Sequence, residues 1–196
     1  MRELFESLGV RTLDGGQTLN PSTYDLLAAI HAVPAEEVVV LPNSANVIMA
    51  AERAAELSDR TVRVVPSRSL QSGLAAAVSL DPTRSAADNA AAMTRTLEAL
   101  RTGAVAPAAR DDGRGRFQAG EAVGFVDETI VAWGEPRETL RQVLADLAAG
   151  AELITCLSGA DAPLDDRAVA SLVDGGVELE QSVGGQASYW WLLSAE

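Results

Sequence analysis

Lysine is absent from this chain: all 15 basic residues are arginine, set against 28 acids for a net charge of −13. With alanine in excess, that pattern fits the coding bias of a GC-rich genome. The charge excludes nucleic acid as a partner, because phosphate contacts need clustered cations. Without a Gly-Lys-Ser/Thr core, no glycine-rich loop here is a P-loop. A single cysteine, Cys156, excludes an internal disulfide and any multi-cysteine metal site. It stands in the apolar run Leu153-Ile154-Thr155-Cys156-Leu157 and reads as a buried small hydrophobe. The one histidine, His31, falls near the end of a predicted helix and supports no Ser-His-Asp triad. Aromatic residues make up 4% of the chain. No apolar run approaches the roughly 18 residues of a membrane span, and the amino terminus has no signal-type apolar core. These absences predict a soluble cytoplasmic protein.

What remains is a chain of 196 residues, 47% apolar, long enough for one large domain or two small ones. Its charge is uneven, since residues 127–196 carry 13 acids and only 3 Arg. Either that surplus keeps the chain soluble, or it steers the protein towards a basic partner.

Apolar runs at Val10–Leu13, Glu37–Leu41 and Thr61–Val65 predict three strands. Helices are expected between them, from Pro21 (with Pro in the first turn) to Ala32 and from Ala45 to Leu57. Strand–helix alternation of this kind means a parallel sheet covered by helices. Further helices are expected over Gln71–Val78 and Ser85–Arg101, the latter closed by Gly103. The character then changes. Residues 105–133 read as hairpins, Pro136–Ala149 as a helix, Glu152–Leu157 as a strand and Pro163–Asp174 as a helix. Two last strands are expected to form a hairpin turned by Gly184-Gly185, with Tyr189 and Trp191 on one face and Trp190 on the other. The fold class predicted is α/β: a small parallel-sheet lobe over 1–103, then an α+β lobe rich in hairpins over 104–196.

Each of the three predicted strands leads into a polar turn at the edge where open α/β proteins place ligands. The first turn holds Gly15, Gly16, Gln17, Thr18, Asn20 and Ser22; the second, Asn43, Ser44 and Asn46; the third, Ser67 and Arg68. Two readings stand side by side. The backbone amides and polar side chains form an anion-binding rim with Arg68 as its cation, or the glycines permit chain reversal while Ser22, Asn20, Asn43 and Asn46 cap helices. Asp111-Asp112 and Asp165-Asp166 are paired acids, but turns and first helical turns are ordinary places for acids.

The wording of the motifs adds a resemblance. GGQTLNPST, VVVLPNSANVIMAAERAAEL and VRVVPSRSLQSGLAA, followed by Asp88-Asn89-Ala90-Ala91-Ala92-Met93 and Gly184-Gly185-Gln186-Ala187-Ser188-Tyr189, cover nearly the whole chain in order. They resemble the C-terminal region of the ATP-binding subunit of bacterial fatty acid kinase, in the dihydroxyacetone kinase-like superfamily. The resemblance implies a DegV-like first lobe and a chain that is not catalytic by itself. It implies that the partner is a fatty-acid-binding subunit and that a helical nucleotide domain lies upstream. ATP and magnesium are expected only in that separate domain, with no cofactor in this chain. The complete system would phosphorylate the acyl carboxylate for phospholipid synthesis, and Met1 would begin a fragment or a gene lacking the upstream domains. The family usually has lysine where Arg68 stands. Dihydroxyacetone kinases hold substrate through a histidine that nothing here matches. Two alternatives remain open: a phosphate-, carboxylate- or dihydroxyacetone-binding domain of phosphatase type at the rim, and a dimerisation module.

Overall fold

Two short parallel strands carry the amino-terminal unit, Arg2–Ala99, of the computed structural model. The carboxy-terminal unit comprises Leu100–Glu196 together with Met1. All residues are described except Gln17, Thr18 and Asp174, so the expectations placed on those three lie outside the described residues.

The amino-terminal unit runs α1 (Arg2–Ser7), α2 (Thr23–Ala32), β1 (Glu37–Val40), α3 (Ile48–Leu57), β2 (Thr61–Val64), α4 (Leu70–Val78) and α5 (Ala86–Ala99). β1 and β2 pair in parallel, Val38 opposite Val62 and Val40 opposite Val64. Successive strand side chains point to opposite faces, and both faces are covered. Val38 joins Leu26, Ile30, Val47, Ala51 and Ala54 of the α2–α3 layer, while Val39 packs with Val65, Ala76 and Met93 of the α4–α5 layer.

The expected strand at Val10–Leu13 does not form. Its polar side chains bond to the flanking helices instead: Arg11 donates to the Ala32 carbonyl of α2 and Thr12 to Glu6 of α1, and Leu13 stays exposed. Pro21 lies ahead of α2, not in its first turn, because Ser22 takes the N-cap position. Asn89 explains part of the Asp-Asn motif. It is buried, accepts from the Asp81 amide and donates to the carbonyls of Asp81, Arg84 and Ser85, fixing the turn before α5.

The carboxy-terminal unit contains β3 (Arg101–Pro107), β4 (Ala122–Val126), β5 (Thr129–Gly134), α6 (Pro136–Ala148), β6 (Leu153–Ser158), α7 (Asp166–Ala170), β7 (Glu178–Val183) and β8 (Trp191–Ala195). Its six strands lie in the order β5-β4-β3-β8-β6-β7, antiparallel except for the β6–β7 pair. Gly103 does not close a helix; it sits inside β3. Nor do the last two strands form a hairpin. β8 inserts between β3 and β6, while β7 pairs in parallel with β6 at the edge. The reason is burial: all five residues of β8 are buried, which only a central strand allows, whereas β7 alternates glutamate with half-buried side chains. Tyr189 precedes β8 and is partly exposed, while Trp191 is fully buried.

α6 begins at Pro136 after Glu135, whose carboxylate accepts from the Glu138 amide. It lays Leu140, Val143, Leu144 and Leu147 on the sheet at helical spacing, all fully buried. The contact is close because β3 and β4 carry glycine beneath it. A Cβ on Gly103 would stand 2.7 Å from Leu147 Cδ1 and 3.0 Å from Val143 Cγ1. Gly103→Ala is therefore expected to cost about 1–3 kcal/mol through overpacking, read as a lower denaturation midpoint. An unchanged midpoint would mean that α6 rides free of the sheet.

Candidate functional site

The three turns behave differently. In the first, the Gly16 amide donates to Asp14 Oδ1 at 2.9 Å and the Leu19 amide to the Gly16 carbonyl. Gly16 has φ +65° and Leu19 φ +53°, conformations that favour glycine. A Cβ on Gly15 would lie 2.7 Å from the Leu19 carbonyl carbon, so the tight reversal requires that glycine. Asn20 is exposed. Ser22 forms a capping box: its Oγ accepts from the Asp25 amide, and the Ser22 amide donates to Asp25 Oδ2 at 2.9 Å. Its hydroxyl also donates to that carboxylate at 2.6 Å, and these bonds hold the Asp25 carboxyl below the usual aspartate range. Helix capping thus accounts for Ser22.

The second and third turns meet. The Asn43 amide donates to Ser67 Oγ at 2.9 Å, and the Ser67 hydroxyl donates back to Asn43 Oδ1 at 2.7 Å. Asn43 sits at φ +57°, a left-handed conformation that asparagine tolerates better than most residues. Its side chain fits because α4 carries glycine opposite: a Cβ on Gly73 would fall 1.7 Å from Asn43 Oδ1. Ser67, expected as a ligand contact, is completely buried and braces the Asn43 turn instead. The adjoining Arg68 is exposed, as is Asn46.

Neither Asn43, Ser44 nor Asn46 caps α3. The N-cap is Val47, without a side-chain bond, and Ser44 Oγ accepts from the Asn46 amide. α4 is capped by a reciprocal Ser69–Ser72 pair. Sequence reasoning missed Gly73, whose signal was a glycine isolated inside a helical pattern.

The remaining chemical candidates are held by structure. His31 lies in the last turn of α2, with Nε2 3.2 Å from Asp59 Oδ1. Arg60 donates to the carbonyls of Ile30, His31, Val33 and Ala35, completing the same helix end. Asp112 accepts from the amides of Arg114 and Arg116 and from the Arg116 guanidinium. The Arg116 bonds pull its carboxyl down to about 2. Asp111 accepts from the Ala119 amide, and Asp165 caps α7. Among the described residues, no three His, Cys, Asp or Glu side chains gather as a metal site, and no helix is long and apolar enough to cross a membrane.

Comparison with solved structures fits this architecture. The DegV family protein Cg2579 of Corynebacterium glutamicum superposes with a TM-score of 0.64 at 15% identity, over 98% of this chain and 91% of that one. The Streptococcus pneumoniae fatty acid kinase B3 protein, solved with linoleic acid, gives 0.60 at 14% identity, over 89% and 75%. The dihydroxyacetone kinase of C. freundii, solved with AMP-PNP and Mg2+, gives 0.57 at 14% identity, over 89% and 41%. At such identities the likeness is one of fold: a mixed α/β chain of the DegV and dihydroxyacetone kinase kind.

In sequence, the chain is 35% identical to protein SSP1546 of Staphylococcus saprophyticus over 206 aligned residues and 33% identical to protein YloV of Bacillus subtilis over 204. Each alignment takes in 99% of this chain but only 37% of the relative. The family model for the C-terminal region of FakA-like fatty acid kinase proteins matches residues 1–196. With the motif order, the fold and the full-length match in agreement, the chain belongs to the FakA-like fatty acid kinase C-terminal family.

Proposed function

We propose that this chain is a docking module of a fatty acid kinase-like protein. It would receive a fatty-acid-binding subunit of the DegV kind, and a separate nucleotide-binding region would phosphorylate the acyl carboxylate. The observation that carries the reading is the braced pair of turns. Ser67 and Gly73 hold Asn43 in a fixed left-handed turn beside the exposed Arg68 and Asn46, and rigid presentation of a cation at a surface suits recognition of a protein or an anionic group. The full-length family match and the likeness of fold to an acyl-loaded kinase protein support the same reading. A small-molecule or phosphatase site is disfavoured because the hydroxyls of Ser22 and Ser67, two of its prospective contacts, are spent on a helix cap and a turn brace.

Titration calorimetry of this chain with a DegV-type acyl-binding protein tests the proposal. A 1:1 complex that needs no nucleotide is expected, and absence of heat and of co-elution would overturn docking. Arg68→Ala is expected to weaken the complex about tenfold, as loss of one charge-assisted hydrogen bond does. Unchanged affinity would remove Arg68 from the interface.

A further inference from the structure

One face of the carboxy-terminal sheet carries polar atoms that the described residues do not satisfy. Register places Val105, Trp191, Ser158 and Val183 side by side across β3, β8, β6 and β7, and Gly103, Leu193, Cys156 and Gln181 in the next row. Directly paired residues point to the same face. It is the α6 face, because Gly103 and Gly124 lie under Val143 and Leu147. Three of these residues hold inaccessible polar atoms without a hydrogen-bond partner among the described residues: Trp191 Nε1, Ser158 Oγ and Gln181 Oε1. Trp191 is 0% exposed. Buried polar groups are nearly always bonded to protein or to ordered water, and these three orphans stand on adjacent strands and rows of one face.

The donor set defines what fits. The indole N–H only donates, the Gln181 carbonyl oxygen only accepts, and the Ser158 hydroxyl does either. Neither row contains a charged side chain, and the three groups together call for an atom that both gives and takes hydrogen bonds, as a hydroxylic oxygen does. Ser158 and Trp191 are direct cross-strand partners, with Cβ atoms about 4.5–5.5 Å apart, so their side chains leave the sheet at neighbouring points of one face. On the far side of Ser158, Val183 lies on the edge strand and is 74% exposed, so the row opens to solvent there.

We propose that Trp191, Ser158 and Gln181 form a binding site for ordered water within the carboxy-terminal unit. The water accepts from the Trp191 indole and donates to Ser158 Oγ and Gln181 Oε1, within the two to four partners a buried water takes.

Water–protein NOE and ROE spectra of the 15N-labelled chain test this. The Trp191 indole proton, assigned by its disappearance in Trp191→Phe, is expected to show a cross-peak to water with the sign of a long-lived hydration site. An indole proton without that cross-peak would overturn the proposal. Ser158→Ala is expected to weaken the cross-peak and lower the melting temperature. If Ser158→Ala leaves the melting temperature unchanged or raises it, the hydroxyl had no partner to lose, and the proposal fails.

Discussion

Gly73→Ala is expected to lower the stability of the amino-terminal unit by about 1–3 kcal/mol and to release the Asn43 turn. The new methyl would occupy the position of Asn43 Oδ1, 1.7 Å away, so the side chain must leave. Ser67, fully buried, then loses the acceptor for its hydroxyl, and an orphaned buried donor costs that much. A double-mutant cycle isolates the mechanism. Asn43→Gly removes the obstructing side chain, and glycine accepts φ +57° without strain. Gly73→Ala should therefore cost markedly less in the Asn43→Gly background, with a coupling energy of about 0.5–3 kcal/mol. Chemical denaturation of the four proteins reads it directly. Simple additivity would show that Gly73 is needed for some reason other than Asn43. In the docking reading, Gly73→Ala should also weaken partner binding, because Arg68 adjoins the collapsed turn.

The elements that sequence made legible are those whose signals are local. α6 carries its own start in Pro136 and its own burial stripe in Leu140, Val143, Leu144 and Leu147, so its bounds were readable to within one residue. β1 and β2 likewise stand out as β-branched runs between helices. What failed depends on partners distant in sequence. Val10–Leu13 has a strand's composition, but no described strand pairs with it. β7 and β8 look like a hairpin across Gly184-Gly185, yet their pairing is decided by β3 and β6, far away in the chain. The two glycine amides both donate to the Ser158 carbonyl and so end the β6–β7 pairing instead of reversing the chain. At the candidate site, turn composition located the polar residues, but it could not tell a ligand contact from a brace. That distinction rests on which hydroxyl finds an internal partner, as Ser67 does with Asn43 and Ser22 does with Asp25.

Cys156 should be almost inert towards thiol reagents in the folded protein. It is 0% exposed, and burial, with the nearby Asp166 charge adding to it, pushes the thiol up to about 12 from an ordinary value of 9.0. Only the thiolate is nucleophilic. A rise of this size leaves roughly a thousandth of the ordinary thiolate fraction at pH 8, since each pKa unit is tenfold. Disulfide-exchange labelling at pH 8 is thus expected to run at least about 1000-fold slower in the folded chain than in denaturant, where one equivalent should react at once. Comparable rates would mean that β6 opens readily or that the thiol is not in the core. The same group makes stability depend on alkaline pH. Its folded pKa exceeds the unfolded one, so its contribution is fully present below about 9 and declines as pH rises towards about 12. Cys156→Ala should flatten that alkaline decline, although the lost sulfur volume lowers stability at neutral pH. An alkaline decline equally steep in Cys156→Ala would place its origin elsewhere, because the variant has no thiol left to ionise.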